Sequence, residues 1–176
     1  MALSHEEIKE KVTAKFGEAI KDFTEPYGML TFEVEREKAI KLIQFLNEDE
    51  TLQFNFLTTL GAVHYPDNDI ERQFAIVYHM HNWVDNVRIR IKAYLNGANP
   101  EIETCTRLFI CTNWMEREAY DFYGINFIGH PDLKRILNME EMVSFPMRKE
   151  FPLEDQGRTD KDDRYFGRIP QNTNLN

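Results

Sequence analysis

The 176-residue sequence predicts an α+β fold. The expected form is a mixed sheet with a three-strand antiparallel meander, helices on one face, and an irregular C-terminal extension. Three observations carry this. Apolar residues recur every three to four positions in 4–23 and 36–47, the spacing of helices that bury one stripe. They alternate with polar ones in 29–34, 74–80 and 87–93, the spacing of strands that bury one face. No sustained period follows Gly124.

Ser4 opens the first helix, with Glu7 placed for a capping box that satisfies two orphan backbone donors. Ile8, Val12, Phe16, Ile20 and Phe23 form its stripe, and Glu25-Pro26-Tyr27-Gly28 ends it. Leu30, Phe32 and Val34 alternate with Thr31 and Glu33 as a strand. Ala39, Ile40, Ile43 and Leu46 line a second helix. Residues 52–65 read as a long strand, bent at Gly61 and stopped by Pro66-Asp67-Asn68. If the strands flanking the second helix were parallel neighbours, their connection would be right-handed. Phe74, Ile76, Tyr78 and Met80 alternate on the next strand, and Asp85-Asn86 supplies a turn. Val87, Ile89, Ile91 and Ala93 follow, with Arg88, Arg90 and Lys92 outward, and Asn96-Gly97-Ala98-Asn99-Pro100 closes the meander. Residues 104–124 read as helical, in one piece or two, with Gly124 at the C′ position. The chain thus divides into an α+β domain, 1–124, and an extended loop and tail, 125–176. The second part holds Pro131, Pro146, Pro152 and Pro170. Residues 155–176 are polar and charge-mixed, expected to wrap over a partner rather than fold alone.

Composition excludes several classes. Lys plus Arg is 21 and Asp plus Glu is 30, a net charge of −9, which argues against nucleic acid. Residues 134–176 carry eight basic and eight acidic side chains, so residues 1–133 hold the whole imbalance. No apolar run approaches the roughly 20 residues of a membrane span. The N-terminus lacks the basic start and apolar stretch of a signal peptide, so the chain is expected to stay where it is made. Cys105 and Cys111 form no Cys-x-x-Cys pair and are expected to be reduced thiols that hold no iron–sulfur cluster. Neither a Gly-x-Ser-x-Gly elbow nor a glycine-rich phosphate loop is present, which disfavours an independent enzyme. His79 and His81 share a strand face and could bind zinc or copper, with His64 the nearby candidate for a third ligand. The competing reading is two amphipathic side chains on a half-exposed sheet.

Residues 114–137 carry the densest chemistry. On a helix Trp114, Glu118 and Asp121 fall roughly in line, and Arg117 stands i,i+4 from Asp121. Arg117 is therefore expected to have an intrahelical carboxylate, with Glu116 and Glu118 available to partners elsewhere. Phe122 and Tyr123 complete a mixed aromatic and ionic surface. A solvated helix end would share this pattern, but Arg packed with aromatics also matches a protein interface.

This segment closely resembles the signature of the C subunit (30 kDa subunit) of proton-pumping NADH:quinone oxidoreductase, respiratory complex I. The matching residues are Glu116-Arg117-Glu118, Asp121-Phe122-Tyr123, Gly124, Gly129-His130-Pro131 and Leu133-Lys134-Arg135. Arg148-Lys149-Glu150-Phe151-Pro152-Leu153 resembles the family's later basic, acidic, aromatic, Pro-Leu stretch. The close resemblance covers about 113–153; upstream only the order of elements is similar. Two places depart from the family pattern. His64 precedes Tyr65-Pro66 where Asp is frequent, and Ser144-Phe145-Pro146 stands where a second Gly-His-Pro is common.

The resemblance implies a structural subunit of the peripheral arm with no catalytic residue, metal or cofactor of its own. FMN and iron–sulfur clusters would lie in partner subunits, passing electrons from NADH to quinone and driving proton translocation. The partners would be chiefly the D subunit, with the B and I subunits nearby. At 176 residues the chain is expected to carry no fused D subunit. It would sit on the cytoplasmic side of the bacterial inner membrane, held there only through those partners. Residues 116–135 would be the dock, and Arg117→Ala is expected to leave the isolated protein folded while weakening assembly. The alternatives are the related subunit of a membrane-bound hydrogenase-type complex, or a free-standing metal enzyme around His79 and His81.

Overall fold

A computed structural model describes residues 3–151, so Pro152 and the expected wrapping of 155–176 lie outside the described residues. Helix α1 (His5–Phe16) starts at the expected capping box: the Ser4 hydroxyl accepts from the Glu7 N–H, and the Glu7 carboxylate accepts from the Ser4 N–H. It stops well before Glu25. Gly17 takes a φ of +54° and caps the helix, and strand β1 (Ile20–Thr24) follows. The apolar stripe concealed this change. Residues three apart point to opposite faces of a regular strand. A register irregularity between Lys21 and Thr24, with Asp22 at φ +55°, turns both Ile20 and Phe23 toward the core. Helical spacing therefore runs unbroken through a helix and a bulged strand.

Strand β2 (Leu30–Val34) and helix α2 (Ala39–Glu48) lie where expected, α2 entered through a single 3₁₀ turn, Arg36–Lys38. Strand β3 (Phe56–His64) begins later than expected, because 52–55 is an irregular approach. Leu52 and Phe54 are buried there, and Gln53 takes a positive φ. The ladder irregularity of β3 falls between Leu57 and Thr59, not at Gly61. Strands β4 (Phe74–Asn82) and β5 (Val87–Leu95) complete the antiparallel meander.

The five-stranded sheet has the order β1-β2-β5-β4-β3, with β2 parallel to β5. β2 and β3 are therefore not neighbours, and the chain leaves α2 for the far edge of the sheet. One face carries Phe32, Ile91, Tyr78 and Leu60, which form a single buried cluster with Ile8 and Val12 of α1 and Leu42, Ile43 and Leu46 of α2. The interval expected to be helical from residue 104 divides differently. Strand β6 (Glu101–Glu103) and a run of turns precede one helix, α3 (Thr112–Tyr123), which packs against β3. Strand β7 (Asn126–Ile128) then pairs parallel with β6 in a small second sheet. Three residues are too few to show alternation, so neither strand was legible. Among the described residues no helix is long and apolar enough to cross a membrane.

Candidate functional site

Gly124, at φ +71°, ends α3, and the chain turns back along the helix as a segment, 129–151, without helix or ladder. Where such a backbone is shielded from water, its polar groups need partners outside any ladder. The motif residues of α3 supply them.

Asp121 is fully buried and acts as a hub. One carboxylate oxygen accepts from Arg135 Nη1 at 2.7 Å and from Asn138 Nδ2 at 3.1 Å. The other accepts the backbone N–H groups of Ile136, Leu137 and Asn138 at 3.1, 2.8 and 2.9 Å. Burial alone would raise this carboxyl. The backbone donors of Asn138 and Leu137, with Arg135, outweigh it and hold the group well below the usual carboxylate range. Arg135 also donates to the carbonyls of Met142 and Ser144 at 2.5 and 3.0 Å.

The expected intrahelical Arg117–Asp121 pair is therefore not formed. Arg117, also buried, donates to the carbonyls of Lys134 and Arg135 at 3.1 and 2.9 Å, with its guanidinium 5.0 Å from the Trp114 ring. The reason is energetic. An exposed i,i+4 pair contributes about 0.3–0.5 kcal/mol, whereas leaving a buried backbone group unpaired costs about 1–3 kcal/mol.

Glu116 faces the opposite side of α3 and is fully buried. It is hydrogen-bonded to Thr104 Oγ1 at 2.5 Å and accepts the Cys105 N–H at 2.7 Å. Burial pushes its carboxyl up to about 7, against the lowering effect of Thr104, Cys105 and Thr112. The buried His130 ring lies 4.0 Å away. Its Nδ1 accepts the Asp132 N–H at 3.1 Å, which places the proton on Nε2, 3.2 Å from the Asn113 carbonyl. Gly129, at φ +82°, turns the chain into this position.

Farther along, Arg148 Nε donates to the Tyr123 carbonyl at 2.8 Å and the Met147 N–H to that of Phe122 at 3.2 Å, so the last carbonyls of α3 are capped by the returning chain. Phe145, within the divergent Ser144-Phe145-Pro146, lies 5.1 Å from the Arg135 guanidinium and 4.8 Å from that of Arg148. Its ring approaches Gly124 so closely that a Cβ there would stand 2.6 Å from a ring carbon. Gly124→Ala is expected to cost about 2 kcal/mol, from left-handed strain and ring displacement, read as a lower thermal midpoint. His64, buried and stacked on Phe74 at 4.5 Å, accepts the Lys149 N–H at 3.0 Å. Burial lowers its pKa, opposed by the Glu150 carboxylate 3.7 Å away.

Arg117, Asp121, Arg135 and Arg148 thus bond α3 to the returning segment, with the Phe122 and Tyr123 carbonyls at its end, while Glu116 and His130 are held on the other side of the helix. Glu118, Pro131, Lys134, Lys149 and Phe151 remain at the surface. Lys134 pairs with the neighbouring exposed Asp132, at 2.9 Å. The sequence pattern missed what the pinned segment displays: Leu137, Met139, Val143 and Met147 are exposed, Val143 almost completely at 95%. Scattered apolar residues in an aperiodic stretch give no signal of their own.

The metal reading of the histidines fails on geometry. His64 is in register with Phe74 on the core face, while His79 and His81 point to the other. His79 accepts from Arg90 Nε at 2.9 Å, His81 is bonded to the Asn86 side chain at 2.9 Å, and no metal-ligating cluster of three exists among the described residues.

Comparison with known proteins agrees with this architecture. Residues 32–157 match the model of the family described as respiratory-chain NADH dehydrogenase, 30 Kd subunit. The second C-type subunit of NADH-quinone oxidoreductase from Rhizobium etli is 41% identical over 151 residues, covering 85% of this chain and 78% of that protein. The C-type subunit of NADH-quinone oxidoreductase from Citrifermentans bemidjiense is 38% identical over 159 residues, covering 90% and 94%. Among solved structures, a trypsin-resistant fragment (1–134) of Nqo5 superposes with a TM-score of 0.60 at 30% identity, over 73% of this chain and 98% of that one. A chain of the membrane-bound sulfane sulfur reductase, an archaeal respiratory membrane complex, shares the fold with a TM-score of 0.69 at 22% identity, over 84% and 85%. With the matched region running from within β2 through β3, β4, β5, α3 and the segment pinned to it, the chain belongs to the family of the 30 kDa subunit of respiratory-chain NADH dehydrogenase.

Proposed function

We propose that this chain is a structural subunit of the peripheral arm of NADH-quinone oxidoreductase, and that its pinned segment is a docking surface for a neighbouring subunit. It contributes no catalytic group and no cofactor ligand. FMN, iron–sulfur clusters and quinone are handled by partners, the D subunit foremost, with the B and I subunits nearby. Attachment to the cytoplasmic side of the bacterial inner membrane runs through those partners.

One observation carries the docking reading. The buried Arg117 and Asp121 of α3 hydrogen-bond an irregular segment to the helix, and that segment turns Leu137, Met139, Val143 and Met147 outward. Exposed apolar side chains clustered on an ordered surface mark protein contacts. The motif charges thus shape the dock rather than forming it.

Leu137→Asp with Val143→Asp tests this. Both side chains are exposed, so unfolding of the isolated full chain should shift by no more than about 0.5 kcal/mol, while recovery of the variant in the membrane complex should fall severalfold. Wild-type recovery would overturn the docking role. Purification of the native complex through this chain tests the wider reading. Co-purification of NADH- and FMN-binding subunits supports it, and hydrogenase subunits in their place overturn it.

A further inference from the structure

We infer that the face of the main sheet that none of the described helices covers is a second docking surface, which takes a carboxylate-rich segment of a partner protein anchored by an apolar residue. The inference rests on the reading of this chain as a subunit of an assembled complex, and concerns a different part of the molecule from the pinned segment.

The helices pack on the face that carries Phe32, Ile91 and Tyr78. The other face is built by register. Arg88, His81 and Phe56 form one row across β5, β4 and β3; Arg90, His79 and Thr59 form the next; Lys92, Val77 and Gly61 the third. Three cationic side chains thus stand in line along β5. Glu33, in register with Lys92 on β2, is taken by Arg72 at 2.7 Å, and Arg72 itself lies 3.8 Å from the Tyr94 ring.

At the end of this basic line sits an apolar corner. Trp83 is 62% exposed, Val84 74% and Phe56 42%. The Trp83 ring meets Phe56 edge-on at 5.3 Å and lies 4.7 Å from His81. An exposed Trp held by neighbouring rings, with Arg88 across the ladder from His81, has the composition of a binding hot spot.

Charge selects the occupant. A line of Arg88, Arg90 and Lys92 within a chain of net charge −9 is a local reversal of sign, complementary to carboxylates. The acidic remainder of the molecule repels a polyphosphate backbone, which favours an acidic protein segment over nucleic acid. The partner's apolar residue would fill the corner between Trp83 and Phe56.

The test uses the complex isolated from native membranes and treated with a water-soluble carbodiimide, which joins an amine to a carboxylate in contact with it. Lys92 is expected to appear, by mass spectrometry, linked to Asp or Glu of a different subunit. Arg88→Glu with Lys92→Glu should lower the amount of chain recovered in the complex at least fivefold, and Arg88→Lys with Lys92→Arg should restore it. Circular dichroism of the isolated full chain reports whether each variant folds, and the cross-link on wild-type protein needs no variant. An incorporated chain whose Lys92 forms no link to another subunit overturns this inference alone, as does a link to a second copy of the chain or tight binding of single-stranded RNA by the isolated chain. A wild-type chain found in no complex overturns the subunit reading and this inference with it.

Discussion

Asp121→Ala is expected to destabilise the chain by about 3–5 kcal/mol and to release residues 133–150 from α3. Removing one partner of a buried ion pair strands the other, at about that cost. The Arg135 side chain is only 8% exposed, and the Asp121 side chain is completely buried. The same substitution deprives the Ile136, Leu137 and Asn138 amides of their acceptor. Hydrogen exchange should therefore accelerate at these amides first, beyond what the global loss explains. Unchanged protection at 136–138 would show that another contact holds the segment. Asp121→Asn keeps an acceptor but not the charge, and should fall between the alanine variant and wild type. The carboxyl is held below its ordinary value, so its contribution is complete above the unfolded carboxylate pKa of about 3.9. It is lost as pH falls through the lower folded value. Acid should loosen this segment.

Glu116→Gln should act with the opposite sign. Burial raises the Glu116 carboxyl from 4.5 to about 7, so between those values the folded chain holds a proton that the unfolded chain has lost. Stability from this group is full below 4.5 and declines as pH rises through about 7. At 1.36 kcal/mol per pKa unit the decline amounts to about 3 kcal/mol. Glutamine reproduces the protonated acid, accepting from the Cys105 N–H and donating to Thr104 Oγ1. The variant should match wild type near pH 4.5 and exceed it by about 3 kcal/mol at pH 8. Chemical denaturation across that range measures the difference directly, and the opposite pH dependence of His64 appears in both proteins and cancels. A difference that stays flat with pH would mean that Glu116 is ionised in the folded chain throughout.

The parts of the fold that were legible in advance rest on local patterns. Ser4 and Glu7 sit three apart and cap α1 as expected. Phe74, Ile76, Tyr78 and Met80 alternate and are all buried. Where local pattern misled, a departure from regular geometry was responsible. The bulge at Asp22 let Ile20 and Phe23 mimic a helix, and β6 and β7 are too short to display a period. The site followed the same logic. Residues 114–137 stood out by composition, but the partner of Arg117 was misassigned. The nearest carboxylate along the helix lost to backbone carbonyls 17 and 18 residues away.

The sequence by itself determined the types of the long regular elements α1, α2, β2, β4 and β5, the buried faces of β2, β4 and β5, and membership of a family through a run of residues in unbroken order. These are properties of spacing along the chain, set by the pleat and the helical turn. Tertiary structure alone decided that β2 lies beside β5 and that Asp121 binds Arg135. It also decided that Glu116, Arg117 and Asp121 point inward while Leu137 and Val143 point out. Such pairings depend on which unsatisfied backbone groups folding brings into reach. A buried carboxylate takes the donors around it in space, whatever its neighbours in sequence.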